Sequence, residues 1–270
     1  MPASTGDVLR LIRSGEATTR AELLKATGLS RVGLGQRLEQ LLQHKLLVME
    51  SAPSTGGRPP RRFAFNPRAG VVLAADLGAT HGRVAVADLG GTMLARRDID
   101  IPIADGPDVV LPFVLARFDE LLAETGHDRS DIWATGVGLP GPVDFASSRP
   151  VRPPIMPGWD DFDVRGWFAN EIPGFVLVDN DVNVMALGEY WSSWRDEVDD
   201  FLYVKVGTGI GAGLIAGGEV YRGARGAAGD LGHVRVDAPR PVVCDCGNEN
   251  CLVAVAAGRA LARDLRELGL

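Results

Sequence analysis

The sequence predicts an α/β protein in two parts, a small helical head followed by a larger body of strands and helices. Three observations predict it. The first 45 residues carry three short stretches of helical periodicity, each with start and stop signals. Two later segments, near residues 71–80 and 204–213, each run as an apolar strand into a Gly/Thr turn. Charge divides at the same boundary: residues 1–68 hold a net +6 and the remainder −13, leaving the 270-residue chain at −7.

A basic head on an acidic body implies that the head alone meets an anionic polymer. Apolar residues make up 46% of the chain, enough for a real core. No run approaches the roughly 20 apolar residues of a membrane span. The N-terminus lacks the basic-then-apolar order of a secretory leader. Three cysteines, an odd count, fit a reducing compartment better than a disulfide scaffold. The expectation is a cytoplasmic protein with no membrane partner.

In the head, Val8, Leu9, Leu11 and Ile12 line a first helix that Ser14-Gly15 stops. Thr19 caps a second helix carrying Ala21, Leu23, Leu24 and Ala26, which ends at Thr27-Gly28-Leu29. Ser30 caps a third, with Leu34, Leu38, Leu41 and Leu42 as its buried stripe. Two helices across a short Gly-containing turn make a helix-turn-helix. The opposite face of the third helix presents Val32, Gln36, Glu39, Gln40 and Gln43, with Arg37 beside it and Arg31 in the first turn. Gln bonds an adenine edge and Arg a guanine edge or a phosphate, so this face suits a major groove. Ser30, Arg31, Gln36 and Arg37 are the candidate contacts to double-stranded DNA.

Gly33 and Gly35 each cost a helix about 1 kcal/mol against Ala. Close backbone approach to DNA and simple tolerance both fit them. A three-helix interaction module with a solvated polar face is the plainer alternative. Residues 46–50 and 62–66 read as paired strands, a wing after the helices. Between them Gly57-Arg58-Pro59 matches an AT-hook core, in which Arg58 would enter a narrow minor groove. A solvated linker is the other reading.

In the body, Val71–Asp76 is an apolar strand tipped by an acid, returning through Leu77-Gly78-Ala79-Thr80 into Arg83–Asp88. Backbone N–H groups and the hydroxyl of such a turn can face a phosphate, while the acid holds a metal ion indirectly. Gly207, Thr208, Gly209 and Gly211 form a second turn of the same kind. Ordinary glycine hairpins are the alternative; as a pair, the two suggest the phosphate loops of the actin-like ATPase fold. Between them, Ile132–Thr135 is read as a strand entering a tight loop over 136–144. Phe175–Val178 is a buried strand ending in Asp179-Asn180-Asp181-Val182-Asn183, followed by a helix with Val184, Leu187 and Trp191 on one face. Carboxamides and carboxylates at a strand end can bond sugar hydroxyls, and an acid there can take a hydroxyl proton during phosphoryl transfer. Helix capping explains the same residues more simply.

All three cysteines stand within eight residues, Cys244-Asp-Cys246-Gly-Asn-Glu-Asn-Cys251, and His233 lies eleven positions upstream. Three thiolates and an imidazole close a tetrahedral structural zinc shell, and Gly247 lets the backbone turn between them. A chance cluster of buried thiols is the alternative.

Together these motifs resemble the ROK family of sugar kinases and sugar-responsive repressors, over nearly the whole chain. Gly138-Leu-Pro-Gly141, Asn180-Asp-Val-Asn183, Gly207-Thr-Gly-Ile-Gly211 and Gly232-His233 with the cysteines carry the likeness. The resemblance implies a winged helix-turn-helix over 1–68, then a hexokinase/actin-like (ribonuclease H-like) domain with a first lobe at 69–181 and a second at 182–270. It implies that Asp181 matches the kinases' catalytic base, that Gly138, Asn180, Asp181, Asp230 and His233 meet a sugar, and that His233 also binds zinc. Asp76, Gly78, Thr80, Gly207, Thr208, Gly209 and Gly211 would cradle ATP phosphates.

Departures weigh against catalysis. The kinases carry Gly where Ala79 stands, Glu where Asp230 stands, and Glu where Val253 stands. Losing a charged partner to a sugar hydroxyl costs about 1.5–3 kcal/mol. Family repressors also continue well past the position matching Leu270, so the second lobe is expected to be incomplete. Residues 254–268 read as an amphipathic helix, and Leu252, Val253, Val255 and Leu261 would then lack packing partners. The expected function is a sugar-responsive, DNA-binding regulator of carbohydrate-metabolism genes, a repressor. It would act as a homo-oligomer with a structural zinc and a small sugar or sugar-phosphate effector. The alternative is an ATP- and magnesium-dependent sugar kinase with an appended DNA-binding head.

Overall fold

The computed structural model describes residues 3–51, 61–224 and 226–269. Gly57-Arg58-Pro59, and with it the candidate Arg58, lies outside the described residues. The chain forms two compact units, residues 1–71 with 87–94, and residues 72–86 with 95–270.

The first unit is built from locally capped helices. α1 (Thr5–Ser14) starts on a capping box: the Ser4 hydroxyl accepts from the Asp7 N–H, and the Asp7 carboxylate accepts from the Ser4 N–H. α2 (Arg20–Thr27) starts on the equivalent Thr19–Glu22 box. Both end on a left-handed glycine, Gly15 and Gly28, which only a residue without Cβ adopts freely. α3 (Arg31–Gln43) is capped by Ser30. Val8, Leu11, Ile12, Leu23, Leu34, Leu38 and Leu41 are buried at the helices' meeting faces. β1 (Leu47–Ser51) pairs antiparallel with β2 (Arg61–Phe65), Leu47 opposite Phe65, and buried Phe63 donates its N–H to Thr18 of the α1–α2 link.

The second unit centres on a five-stranded sheet. Its strands are β3 (Val71–Leu77), β4 (His81–Asp88), β5 (Met93–Asp100), β6 (Ile132–Leu139) and, further along the chain, β9 (Phe175–Asn180), in the order β5-β4-β3-β6-β9. α4 (Pro107–Glu124) buries Val110, Leu111, Val114, Phe118 and Leu121. β7 (Val143–Asp144) and β8 (Arg149–Pro150) form a small ribbon, and α5 (Val164–Glu171) sets Phe168 against Phe118. α6 (Asp181–Glu189) leaves β9 directly and ends in a wide turn, where the Arg195 N–H reaches the Tyr190 carbonyl. A second sheet follows, β10 (Phe201–Val206), β11 (Ile210–Ala216) and β12 (Glu219–Val220), antiparallel throughout. α6 lies directly on β11, because a Cβ at Gly213 would come within 2.5 Å of the Ala186 Cβ. α7 (Leu252–Ala256) and α8 (Gly258–Glu267) close the unit. Among the described residues no helix is long and apolar enough to cross a membrane.

Three local expectations are corrected. The strand read over 132–135 continues through Leu139, because Gly136 and Gly138 pair in parallel register with Leu177 and Asp179. Val184, Leu187 and Trp191 do share a face of the α6 segment, but Val184 and Trp191 are exposed. Val182, Ala186 and Tyr190 are the buried stripe. The helix over 254–268 is two helices, broken where Ala257 turns extended and Gly258 gives its N–H to the Gly207 carbonyl. Val253, expected to lack partners, is buried with Cys244, Cys251, Ala254 and Ala257, while Leu261 is exposed.

Candidate functional site

The strand ends and the start of α6 bring the polar residues of the second unit together. β3 carries Asp76 into a hairpin closed by the Gly78 N–H on the His81 carbonyl at 2.8 Å. The Thr80 hydroxyl lies 3.1 Å from His81 Nδ1. β6 brings Gly138 between two acids: a Cβ there would sit 3.6 Å from Asp76 Oδ1 and 3.3 Å from Asp181 Cα. Burial, and then the nearby Asp181 charge, raise the Asp76 carboxyl above the usual carboxylate range. On β10 and β11, the Gly207 N–H bonds the Gly209 carbonyl, leaving Thr208 exposed at the tip.

Asn180 caps α6. Its Oδ1 accepts from the Val182 and Asn183 N–H groups, and its Nδ2 reaches the Gly141 carbonyl and Asp181 Oδ1, both at 3.1 Å. Asp181 is buried. Its Oδ1 also accepts from the Val182 N–H at 2.9 Å, and its Oδ2 takes Lys205 Nζ at 2.7 Å. Beneath this lies a second pair. Asp179 Oδ2 accepts from Arg222 Nε at 2.9 Å and Nη2 at 2.7 Å, and its Oδ1 accepts from the Asn183 carboxamide at 3.0 Å. The Arg222 guanidinium stacks on Phe145, 3.8 Å from the ring centroid. Asp179 and Asn183 belong to the polar strand end read from sequence, whereas Lys205 and Arg222 were missed. One signal pointed to Lys205: along β10 it alternates in phase with Phe201 and Tyr203, so it faces inward, where a lysine needs an acid.

The cysteine cluster assembles separately. Gly229 and Gly232 lie against the carbonyls of Ala212 and Ile210, which holds the 229–233 segment along β11. A knuckle then forms around Gly247, with the Gly247 N–H on the Cys244 carbonyl and the Cys244 N–H on the Asn248 carbonyl. One ligand atom each from His233, Cys244, Cys246 and Cys251 lies within 4.8 Å of all the others. Cys244 Sγ is 3.6 Å from His233 Nδ1, and Cys246 Sγ is 3.7 Å from Cys251 Sγ. A tetrahedral centre with metal–sulfur bonds of about 2.3 Å has edges of about 3.8 Å, so the donor set fits such an ion. Burial, then the neighbouring thiols of Cys246 and Cys244, push Cys251 up to about 12. Asp230 is exposed, with Oδ1 4.0 Å from His233 Nε2. Among the described residues no hydrogen bond joins Asp230 or His233 to Asp181.

In the first unit, α3 presents Arg31 and Gln36 to solvent, with Val32 71% exposed beside them. Ser30 is engaged as the cap. Arg37 is half-buried, its Nε on the Ala3 carbonyl and its Nη1 on the Gly33 carbonyl.

A two-sheet α/β unit with paired Gly/Thr hairpins, an acid at the head of α6 and a His/Cys cluster defines a class, and the comparisons give its name. The chain belongs to the ROK family, whose model matches residues 72–269. A xylose repressor of Caldicellulosiruptor bescii is 26% identical over 97% of this chain and 65% of its own length. A crystal structure of a ROK family transcriptional regulator, a homolog of the E. coli MLC protein, matches with a TM-score of 0.80 at 26% identity. That match covers 98% of this chain and 66% of the other. A ROK family glucokinase from Streptomyces griseus, solved with glucose and AMPPNP, matches with a TM-score of 0.61 at 29% identity, over 73% of this chain and 61% of the other. The chain thus spans about 65% of the length of the first curated relatives it matches.

Proposed function

We propose that this chain is a DNA-binding transcriptional regulator of the ROK type that responds to a sugar. One observation carries the reading: similarity to the repressor and to the regulator structure runs through the first 71 residues, whereas the glucokinase covers only 73% of the chain. In this reading residues 1–68 are a winged helix-turn-helix, with α3 in the major groove. Ser30, Arg31 and Gln36 touch the duplex, Arg37 braces the helix, and Arg58 reaches along the wing. Residues 69–181 and 182–270 supply the two lobes that hold the sugar. Gly138, Asn180, Asp181, Asp230 and His233 surround it, and a homo-oligomer spans two half-sites. His233, Cys244, Cys246 and Cys251 hold zinc, which organises the 229–257 segment and takes no part in chemistry. The partners are operator DNA and a neutral or phosphorylated sugar, in the cytoplasm.

Selection of bound duplexes from a random DNA pool, followed by anisotropy titration with D-xylose and D-glucose, tests this. The expected result is a selected sequence bound more weakly after sugar is added, with Arg31→Ala and Gln36→Ala lowering affinity. Binding that never exceeds that of random duplex would sink the proposal. The kinase reading has its own support, in Asp181 and the two hairpins that would cradle ATP phosphates through Asp76, Gly78, Thr80, Gly207, Thr208, Gly209 and Gly211. Sugar-dependent ADP release that disappears in Asp181→Asn would place it first.

A further inference from the structure

We propose that Lys205 is a positioning residue that, with Asp181, forms a fixed clamp for one ligand hydroxyl. The inference rests on the sugar-binding reading above. Asp181 Oδ1 is already satisfied by the Val182 N–H and the Asn180 carboxamide. Among the described residues Oδ2 takes a single bond, from Lys205, and keeps one acceptor site. An ammonium carries three N–H donors, and Lys205 uses one on Asp181. Its side chain is 31% exposed where that of Asp181 is only 5% exposed, so the free donors lie on the open side of the pair. A hydroxyl both donates and accepts, and a carboxylate oxygen beside an ammonium offers it both partners.

The charge balance agrees. Asp76 and Asp181 come together across Gly138, and Lys205 supplies a positive charge to both. A neutral polyol then enters a site whose acids already have a counter-cation.

Two measurements on the full chain test this. The first is a thermal-melt cycle of Lys205→Met, Asp181→Asn and the double variant, and it needs no ligand. Lys205→Met should lower the melting temperature more than the double variant does, because it strands a buried carboxylate. Additive shifts overturn the proposal whatever the sugar. The second is calorimetric titration with D-xylose and D-glucose at neutral pH. Lys205→Met should bind about tenfold more weakly or worse, while Lys205→Arg recovers part of the loss. Equal affinity in Lys205→Met overturns the clamp and leaves the sugar reading standing. A parent chain that binds neither sugar overturns the sugar reading and the clamp with it, even if the melts are coupled.

Discussion

Unit one caps its helices with near neighbours, whereas the buried acids of unit two pair with distant residues. Ser4 and Asp7, Thr19 and Glu22, and Ser30 and Gly33 are each three residues apart. Asp181 and Lys205 are 24 apart, Asp179 and Arg222 are 43 apart, and His233 and Cys244 are 11 apart. A contact three residues away forms with its helix turn and costs little chain entropy. A contact 43 residues away forms only after the strands between have paired. Unit one should therefore tolerate the loss of any one cap, while unit two should fail cooperatively when one of its distant pairs is removed.

The largest effect should come from the cysteine cluster. Chelation, or Cys251→Ser, should destabilise unit two by more than about 4 kcal/mol, while amide exchange in α1–α3 stays as in the parent. Elemental analysis beside region-resolved hydrogen exchange reads both. Equal deprotection of α1–α3 would break the comparison. Next is Asp179→Asn, which removes the charge that half-buried Arg222 holds with two nitrogens on Asp179 Oδ2. It should cost about 3 kcal/mol, from the usual range for breaking a buried pair, measured by denaturant melts of unit two.

Unit one should give smaller numbers. Thr19→Ala removes a cap and should cost about 1 kcal/mol, seen as faster exchange confined to α2. The smallest effect is one of pH. The Thr18 and Thr19 N–H groups bonded to the Glu22 carboxylate hold it down to about 2, from 4.5 in the unfolded chain. A depressed carboxyl stabilises above its unfolded value and loses that effect as pH falls through its folded value. Protection of the Thr18 and Thr19 amides should thus exceed that in Glu22→Ala at neutral pH and converge with it between 4.5 and about 2.

This contrast explains what could be read from the chain alone. Thr19, Ser30, Gly15 and Gly28 mark helix ends because a cap's signal is complete within four residues. The cysteines were legible for the same reason, being crowded into eight positions. Lys205 was legible only in part, since alternation along β10 turns it inward but the acid it meets stands at the start of α6. The extent of β6 was not legible, because Gly136 and Gly138 look like loop residues until Leu177 and Asp179 pair with them. Spacing put Val184, Leu187 and Trp191 on one face of the α6 segment, but only β11 decides which face packs.

The Gly258 N–H on the Gly207 carbonyl, at 2.8 Å, ties the tip of the β10–β11 hairpin to the first turn of α8. A Cβ at Gly258 would sit 2.9 Å from that carbonyl oxygen, so the joint has almost no slack. The hairpin tip therefore cannot shift without towing α8 or snapping the tether. Displacement at one end of the second sheet is transmitted as movement of a whole helix at the other end of the tether.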